Sequence, residues 1–440
     1  MRTVIVVGAS LAGLYAAREL RTQGFDGRLV VIGAEPHAPY DRPPLSKGFL
    51  TGTAAQAQLA LTDEEETAEL AAEWLIGARA RALDARGRTV VLDDGRTVAG
   101  DGVVIATGAA ARRLPGPPLA GVHTLRTLDD ARALRAELTR GPRRVVVIGG
   151  GFIGAETASS CVTLGHDVTV VEAAPLPLAA PLGPEMASVC AQLHARGGVR
   201  LLTGVGVAGL RGGRGGGASD SGTAEARMSE VRTAEPRTAE PRTADARASG
   251  LARANRSVTA VELADGRLLP ADVVVVGIGA VPHTDWLAGS PLAVDDGVLC
   301  DDGCVTALPQ VVAVGDVARA GGIRAEHWTS ATEQPRVAVR NLLAGRTVET
   351  VHSLPYFWSD QYGSRIQFAG RRSDGDAVRI VEGSPDGSGA PATGTHGEGL
   401  LAVYERAGRT TAVLAVDRAR PFMKMRRGLA AARAAELAGV

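Results

Sequence analysis

Two stretches of sequence decide the fold: Val4-Ile5-Val6-Val7-Gly8-Ala9-Ser10-Leu11-Ala12-Gly13 and Val145-Val146-Val147-Ile148-Gly149-Gly150-Gly151-Phe152-Ile153-Gly154. Each reads as a buried strand, a glycine turn and the start of a helix, and an acidic residue, Glu35 or Glu172, follows at about twenty positions' distance. This is the βαβ pattern of a dinucleotide site, in which a pyrophosphate meets a helix N-terminus and the acid accepts hydrogen bonds from a ribose. Two such sites imply two dinucleotides brought together so that electrons can pass between them.

The two glycine turns differ at one position. The first keeps Gly8 and Gly13 for the tight turn and for close helix–strand packing, but Ser10 stands where a further glycine usually lets the backbone approach the phosphates. The second turn keeps all three glycines. Glu172 predicts NADH rather than NADPH, because a carboxylate bonds a free 2′-hydroxyl and repels a 2′-phosphate, and residues 173–180 contain no Arg or Lys.

Length and composition set the broad class. A chain of 440 residues predicts two or three domains with ample core. Its net charge of +0 argues against binding to nucleic acid or to an anionic membrane. No apolar run has the length of a membrane span and nothing resembles a signal peptide, so a cytoplasmic location is expected. The 4 cysteines form neither a disulfide framework nor a convincing metal site, and no metal is expected.

The duplicated plan predicts an α/β protein with two doubly wound Rossmann-like dinucleotide-binding domains and a C-terminal α+β domain. The first domain is expected at residues 1–113 and 283–320, the second at 114–282 and the third at 321–440. Residues 211–256 interrupt the second domain with a repeated acid-x-Arg unit that contains almost nothing apolar. We interpret this segment as a disordered insertion, because it lacks the apolar residues that a core requires.

Three further apolar strands end in residues that we expect near the cofactors. The strand over residues 101–108 ends in Ala106-Thr107-Gly108, the strand over 272–279 in Gly277-Ile278-Gly279, and the strand over 310–316 in Gly315-Asp316. We count these ends, with the two glycine turns, among the candidate cofactor-binding residues.

A proline-rich loop makes the resemblance to a known family specific. The segment Pro39-Tyr40-Asp41-Arg42-Pro43-Pro44-Leu45-Ser46-Lys47 is similar to the flavin-contacting loop of the FAD-dependent ferredoxin reductases that serve bacterial oxygenases, enzymes with the overall plan of glutathione reductase. The resemblance extends over nearly the whole chain apart from the insertion. Its other motifs are Ala106-Thr107-Gly108, His123-Thr124-Leu125-Arg126, Gly315-Asp316, Glu326-His327-Trp328 and Pro355-Tyr356-Phe357-Trp358-Ser359-Asp360-Gln361-Tyr362.

The resemblance implies roles for several residues on the flavin side. Arg42 and Lys47 would lie near the flavin and its phosphates, with Lys47 at the N5 edge. Arg126 would contact FAD, Asp316 would bond the ribitol chain, and Trp328 would lie against the isoalloxazine. The alternatives without a cofactor contact are that Arg126 is a charge on the protein surface and that Trp328 packs at a domain interface. Lys47 is one of only two lysines in an arginine-rich chain, which indicates a need for a compact charge, although chance retention also explains it.

On the nucleotide side, Phe152, Ile153, Glu156 and Glu172 match positions that contact NADH in the family. The alternative for Glu156 is that it caps or solvates its helix. The resemblance thus gives Lys47, Trp328 and Glu156 as the residues expected at the reacting centre.

The proline-rich loop contains no cysteine, and this limits the reactions that the flavin could carry out. Disulfide reductases of this plan need a redox cysteine pair facing the flavin, and the related peroxidases and oxidases need one, but residues 39–50 contain none. We therefore expect electrons to flow from NADH through FAD to a small iron–sulfur ferredoxin that feeds a mono- or dioxygenase. The alternatives are a rubredoxin reductase or NADH oxidase of the same architecture, or a non-catalytic flavoprotein that signals its NADH-bound state. A monomer or weak homodimer is expected.

The C-terminal segment carries a group of cations that could attract an acidic ferredoxin. A solvated helix face is the plainer interpretation. The group consists of Arg418, Arg420, Lys424, Arg426 and Arg427.

Overall fold

The computed structural model describes residues 1–214, 256–352, 354–384 and 399–438. Of the predicted insertion 211–256, residues 211–214 and 256 belong to two paired strands. The insertion is therefore shorter at both ends than we expected, because strand pairing extends into the Gly/Arg-rich start. The remainder of the insertion lies outside the described residues.

The helices and strands follow one another in three groups. The first group is β1 Thr3–Val7, α1 Leu11–Thr22, β2 Arg28–Gly33, α2 Gly48–Thr51, α3 Glu64–Glu69, β3 Ala72–Ile76, β4 Ala80–Asp84, β5 Thr89–Leu92, β6 Thr97–Ala99, β7 Gly102–Ile105 and β8 Ala109–Ala111. The second is β9 Val122–Thr124, α4 Leu128–Leu138, β10 Arg144–Ile148, α5 Phe152–Thr163, β11 Asp167–Val171, α6 Ala179–Arg196, β12 Arg200–Leu202, β13 Val207–Arg214, β14 Arg256–Leu263, β15 Leu268–Pro270, β16 Val273–Val276 and β17 Ala280–Pro282. The third is β18 Val298–Cys300, β19 Val311–Ala313, β20 Ala318–Ala320, β21 Ile323–Arg324, α7 Trp328–Ala344, β22 Tyr356–Gln361, β23 Ser364–Gly370, β24 Ala377–Glu382, β25 Leu400–Arg406, β26 Arg409–Val416 and α8 Ala419–Ala438.

Two parallel sheets of five strands carry the two glycine turns. Their strand orders are β19-β7-β1-β2-β3 and β12-β11-β10-β16-β9. In each sheet the strand before the glycine turn, β1 or β10, is central, and the chain runs outward from it in both directions. The turn therefore lies where the strand order reverses, which is where doubly wound sheets bind ligands. The predicted fold class is confirmed.

Both faces of these sheets are buried, which explains why their strands are apolar throughout. Side chains alternate along a strand, so Val4 and Val6 pack with α1 while Ile5 and Val7 enter a second core on the opposite face. Strand β10 divides its side chains between two cores in the same way. Helix α7, which the sequence grouped with the C-terminal domain, packs against α1 in the first of these cores.

The C-terminal part is an antiparallel sheet between two helices. Its strand order is β22-β23-β26-β25-β24. Phe422 of α8 is buried on one face, and α6 of the second group covers the other through residues such as Leu182 and Met186. The aromatic residues of this sheet have different roles: Phe368 is buried in its core, whereas Phe357 and Trp358 line a cavity.

The proline-rich loop is more regular than its sequence suggests. Within this loop, Pro43–Ser46 forms a 3₁₀-helix that leads into α2. Proline is tolerated at the start of a helix, where its missing N–H would have no partner in any case. This short helix buries Leu45 and orients Lys47.

The cysteines are thiols, and three of the four are buried. Cys161 lies on α5, Cys190 on α6 and Cys304 after β18, while Cys300 is half-buried. Among the described residues, no group of His, Cys, Asp and Glu could hold a metal ion. Within the same ranges, no helix is both long enough and apolar enough to cross a membrane.

Candidate functional site

Most glycines of the two turns are required by packing. A Cβ on Gly8 would lie 2.1 Å from the Ala106 carbonyl oxygen, and one on Gly13 would lie 1.7 Å from the Gly8 oxygen. The second turn repeats this geometry, with Cβ positions 2.2 Å from the Gly277 oxygen for Gly149 and 2.0 Å from the Gly149 oxygen for Gly154. Both turns therefore bring a helix N-terminus close to the end of its sheet.

Gly151 differs from these glycines. A Cβ at this position would meet nothing within 4 Å, so packing does not require a glycine here. Gly151 instead lines a cavity. Space beside a helix N-terminus suits a phosphate group, whose charge the free N–H groups and the helix dipole would stabilise.

One cavity of about 1170 Å³ joins the two turns. It is large enough for extended ligands and lies at the carboxyl ends of both parallel sheets. The predicted site residues that line it are Gly8, Ser10, Glu35, Arg42, Lys47, Ala106, Thr107, Gly108, Arg126, Gly151, Phe152, Ile153, Gly154, Glu156, Gly277, Gly279, Asp316 and Trp328.

Four predicted residues do not line the cavity. Gly13, Gly149 and Gly315 lie behind its wall and permit close packing. Glu172 braces the second turn, because its carboxylate accepts hydrogen bonds from the N–H groups of Gly150 at 2.7 Å and Ala174 at 2.8 Å. Its predicted contact with a ribose would use the lone pairs that these bonds leave.

A polar cluster fills the first turn. Arg42 donates to Glu35 Oε1 at 2.7 Å and to Ser10 Oγ at 3.3 Å. Tyr40 donates its hydroxyl proton to Glu35 Oε2 at 2.6 Å and accepts from the Leu128 N–H. Burial raises the pKa of Tyr40, so this hydroxyl keeps its proton and remains a donor. Sequence reasoning missed Tyr40, although it stands in the same loop as Arg42.

A second cluster links Arg126 to the end of the third apolar strand. Arg126 Nη2 contacts Asp316 Oδ2 at 2.6 Å, and its Nε donates to the Ala109 carbonyl. The Gly315 N–H donates to Gln334 Oε1 of α7 at 2.7 Å, which fixes the backbone that carries Asp316. Arg126 is therefore oriented into the cavity wall and is not an isolated surface charge.

A third cluster contains the central predicted pair. Lys47 Nζ lies 2.8 Å from Glu156 Oε2, and the Glu156 side chain is only 3% exposed. Ser46 donates to the same oxygen at 2.6 Å and Ser359 donates to Oε1 at 2.6 Å. Glu156 is thus buried rather than solvated, and these donors compensate its charge. Sequence reasoning missed both serines.

Aromatic side chains form the remaining wall. Trp328 donates its indole N–H to Asp41 Oδ1 at 3.3 Å, and its ring lies 6.2 Å from that of Trp358. Burial raises the pKa of Asp41, and this hydrogen bond partly opposes the shift. On the other side, Phe152 packs against Phe357 with ring centroids 4.8 Å apart.

Ile153 stands beside this wall. It is 47% exposed although it is apolar and lines the cavity. An apolar surface of this kind suits the flat face or the apolar edge of a ligand.

This architecture defines a class of oxidoreductases that hold two dinucleotides in one cavity. The chain belongs to the pyridine nucleotide-disulphide oxidoreductase family, whose profile matches residues 2–234 and 241–335. Residues 356–440 match the reductase C-terminal family. The protein is therefore an oxidoreductase that uses FAD and a nicotinamide nucleotide.

Several relatives are similar over nearly their whole length. The ferredoxin reductase component of chlorobenzene dioxygenase from Cupriavidus sp. (strain PS12) is 35% identical, over 98% of this chain and 93% of the relative. Putidaredoxin reductase from Pseudomonas putida is 31% identical, over 87% and 83% respectively. Among solved structures, the covalent putidaredoxin reductase–putidaredoxin complex matches with a TM-score of 0.79 and 29% identity, over 98% of this chain and 93% of the other.

Proposed function

We propose that this protein is a ferredoxin reductase that passes electrons from NADH through FAD to a small iron–sulfur ferredoxin, which in turn feeds a mono- or dioxygenase. The observation that carries the proposal is one cavity that joins both glycine turns and is lined by Lys47 and Glu156 but, among the described residues, by no cysteine. The ferredoxin reductases among the relatives support it.

The cavity residues fit FAD on the side of the first turn. The N-terminus of α1 would bind the pyrophosphate, with Arg42 as a charge partner, and Glu35 would accept from a ribose hydroxyl. Asp316 would bond the ribitol chain and Lys47 would face the flavin. When bound, FAD supplies the redox chemistry by accepting two electrons together and releasing them one at a time.

The second turn fits a visiting NADH. Gly151 and the N-terminus of α5 would bind its pyrophosphate, and Phe152 and Ile153 would bound the nicotinamide end. Glu156 would hold Lys47 in place at the meeting point. The protein thereby aligns the two cofactors and excludes water, which is the main task of the protein in cofactor enzymes.

The proposed division of the chain follows from these roles. Residues 1–113 and 283–320 would form the FAD-binding domain, 114–282 the NADH-binding domain and 321–440 a C-terminal interface domain, whose helix α7 packs into the core of the FAD-binding domain. We further propose that the protein works in the cytoplasm as a monomer or weak homodimer.

Glu172 supports NADH as the donor. Its Oε2 accepts from the Gly150 N–H in the second turn and its Oε1 accepts from the Ala174 N–H just after β11, so its carboxylate is fixed where a 2′-phosphate would approach. The test is to compare kcat/KM for NADH and NADPH. An equal or higher value with NADPH would exclude this preference.

An exposed basic surface on α8 supports an acidic protein partner. Arg420, Lys424 and Arg427 are exposed there. The Arg426 guanidinium stacks 4.1 Å above the Tyr356 ring, which stacks 5.7 Å from Trp358 in the cavity wall. The basic surface is therefore close to the proposed flavin site, and long-range attraction would guide an acidic ferredoxin to it.

Charge reversal tests this docking site. Arg427→Glu should slow ferredoxin reduction at low salt and flatten its dependence on ionic strength. The control is Arg86→Glu, an exposed arginine in the turn between β4 and β5. If both variants behave alike, the basic surface is not the docking site.

The proposed activity is tested by following NADH oxidation with and without ferredoxin. Fast ferredoxin reduction with slow oxygen consumption in its absence is the expected result. Equal NADH oxidation with or without ferredoxin would indicate an oxidase. Reduction of the flavin without transfer to ferredoxin or rubredoxin would favour the signalling alternative.

A further inference from the structure

A buried hydroxyl from the C-terminal sheet reaches the Lys47–Glu156 ion pair. Ser359, on β22, is 0% exposed and donates to Glu156 Oε1 at 2.6 Å. The other carboxylate oxygen, Oε2, is occupied by Lys47 and Ser46 from the proline-rich loop. The carboxylate is thus held from both sides by segments that lie far apart in the chain.

Gln361 sets the direction of the Ser359 hydroxyl. Its Nε2 donates to Ser359 Oγ at 2.9 Å, so the hydroxyl accepts from Gln361 and has its own proton left for Glu156. Gln361 Oε1 is buried and has no hydrogen-bond partner among the described residues. An amide that leaves its oxygen unpaired in the interior is costly.

The position of the Lys47 ammonium depends on the hydrogen-bond chain Gln361–Ser359–Glu156. Among the residues that the structure describes, its acceptors are the Pro43 carbonyl oxygen at 3.1 Å and Glu156 at 2.8 Å. An ammonium has three N–H donors, so one remains for the cavity that Lys47 lines. If Glu156 turned, Lys47 would lose its charged acceptor and the direction of its free N–H would change.

We propose that Ser359 is a positioning residue that fixes the Glu156 carboxylate and, through it, the Lys47 ammonium at the reacting centre. The proposal rests on the proposed function and extends it to the C-terminal sheet. Residues 357 and 358 of the same strand line the cavity, so β22 both shapes the cavity and holds the ion pair. The competing explanation is that Ser359 only satisfies a buried carboxylate and contributes to stability alone.

Anaerobic flavin reduction by NADH separates the two explanations without any ferredoxin. In Ser359→Ala we expect the limiting rate constant to fall about tenfold, as for one lost hydrogen bond to a charged group. The dissociation constant of NADH should stay within about twofold, because the turn that binds its pyrophosphate is unchanged. Ser359→Thr keeps the hydroxyl and should restore the rate. Thr306→Val, which removes a buried hydroxyl that donates to the Val311 carbonyl, is the matched control.

A double-mutant test shows whether Ser359 acts through Lys47. In a Lys47→Met background, Ser359→Ala should change neither the limiting rate constant nor the midpoint potential of the flavin any further. An equal fold-loss in both backgrounds, or a wild-type rate in Ser359→Ala, would overturn the proposal.

A second variant keeps the test valid if Ser359→Ala does not retain FAD. Gln361→Leu leaves the hydroxyl in place but removes its orienting donor, and it should lower the limiting rate constant about threefold with little change in NADH affinity. A wild-type rate in Gln361→Leu would then count against the proposal. Failure of NADH to reduce the flavin of the wild-type protein would instead contradict the proposed function itself.

Discussion

Replacing Lys47 by methionine should destabilise the fold strongly. At 2.8 Å, and with an effective dielectric constant of about 20, the attraction between Lys47 and Glu156 amounts to about 6 kcal/mol before desolvation. Removing one partner of a buried pair typically costs about 3–5 kcal/mol, because an uncompensated charge stays behind. Two serine hydroxyls would still bond Glu156, so we expect the lower end, about 3 kcal/mol.

Equilibrium urea unfolding measures this cost. All samples should contain the same excess of FAD, since a ligand that binds only the folded state adds to the apparent stability. The double variant Lys47→Met/Glu156→Gln should be more stable than Lys47→Met alone, because its buried group is no longer charged. Lys424→Met is the control: it changes the only other lysine, which is exposed on α8, and should alter stability by less than about 0.5 kcal/mol.

Two outcomes would refute the reasoning. One is a cost of less than about 1 kcal/mol for Lys47→Met, which would place Glu156 in a well-solvated environment. The other is strict additivity in the double variant, which would show that the two side chains do not interact in solution.

Three further predictions concern the turns and two buried groups. Gly151→Ala should leave thermal stability unchanged but weaken NADH binding. Gly154→Ala should lower both the thermal stability and the NADH affinity, because its Cβ would lie 2.0 Å from a carbonyl oxygen. Equal melting temperatures for the two variants would contradict this prediction. The hydrogen bond from Arg406 lowers the pKa of Asp376 from 3.8 to about 2, so the carboxylate stabilises the fold above about pH 4 and this contribution is lost as the pH falls towards 2. Asp376→Asn should therefore cost about 2 kcal/mol at neutral pH and little at about pH 2, as measured by urea unfolding. Burial lowers the pKa of His194 to about 4, so as the pH falls from about 6.5 to 4 the unfolded chain takes up a proton before the folded protein does, and the free energy of unfolding falls. His194→Gln should reduce this dependence of the unfolding free energy on pH. An unchanged dependence would exclude His194 as its source.

The sequence predicts the two parallel sheets and their turns because their signals are local. A run such as Val4–Val7 followed by Gly8 contains the strand, the turn and the start of the helix within a few residues. The cavity follows from these turns, since each must lie at the end of a central strand.

The contacts inside the cavity could be identified only from the structure. Ser359 and Glu156 are 203 positions apart, and no periodicity connects a hydroxyl on one strand with a carboxylate on another unit's helix. The two hydrogen bonds that Glu172 accepts cannot be predicted from the sequence either. Their donors are backbone N–H groups, and every residue except proline has one. Local patterns thus predict where elements lie, whereas side-chain partnerships depend on how the sheets pack together.

The buried thiols give the protein built-in reporters of local opening. Cys161, Cys190 and Cys304 belong to three different cores. Burial raises the pKa of Cys161 and Cys190 to about 12, so a reactive thiolate hardly forms in the folded protein at neutral pH. A thiol reagent would therefore modify each cysteine only when its own region opens. Mass mapping of the labelled peptides would rank the stabilities of the three cores in the unaltered protein.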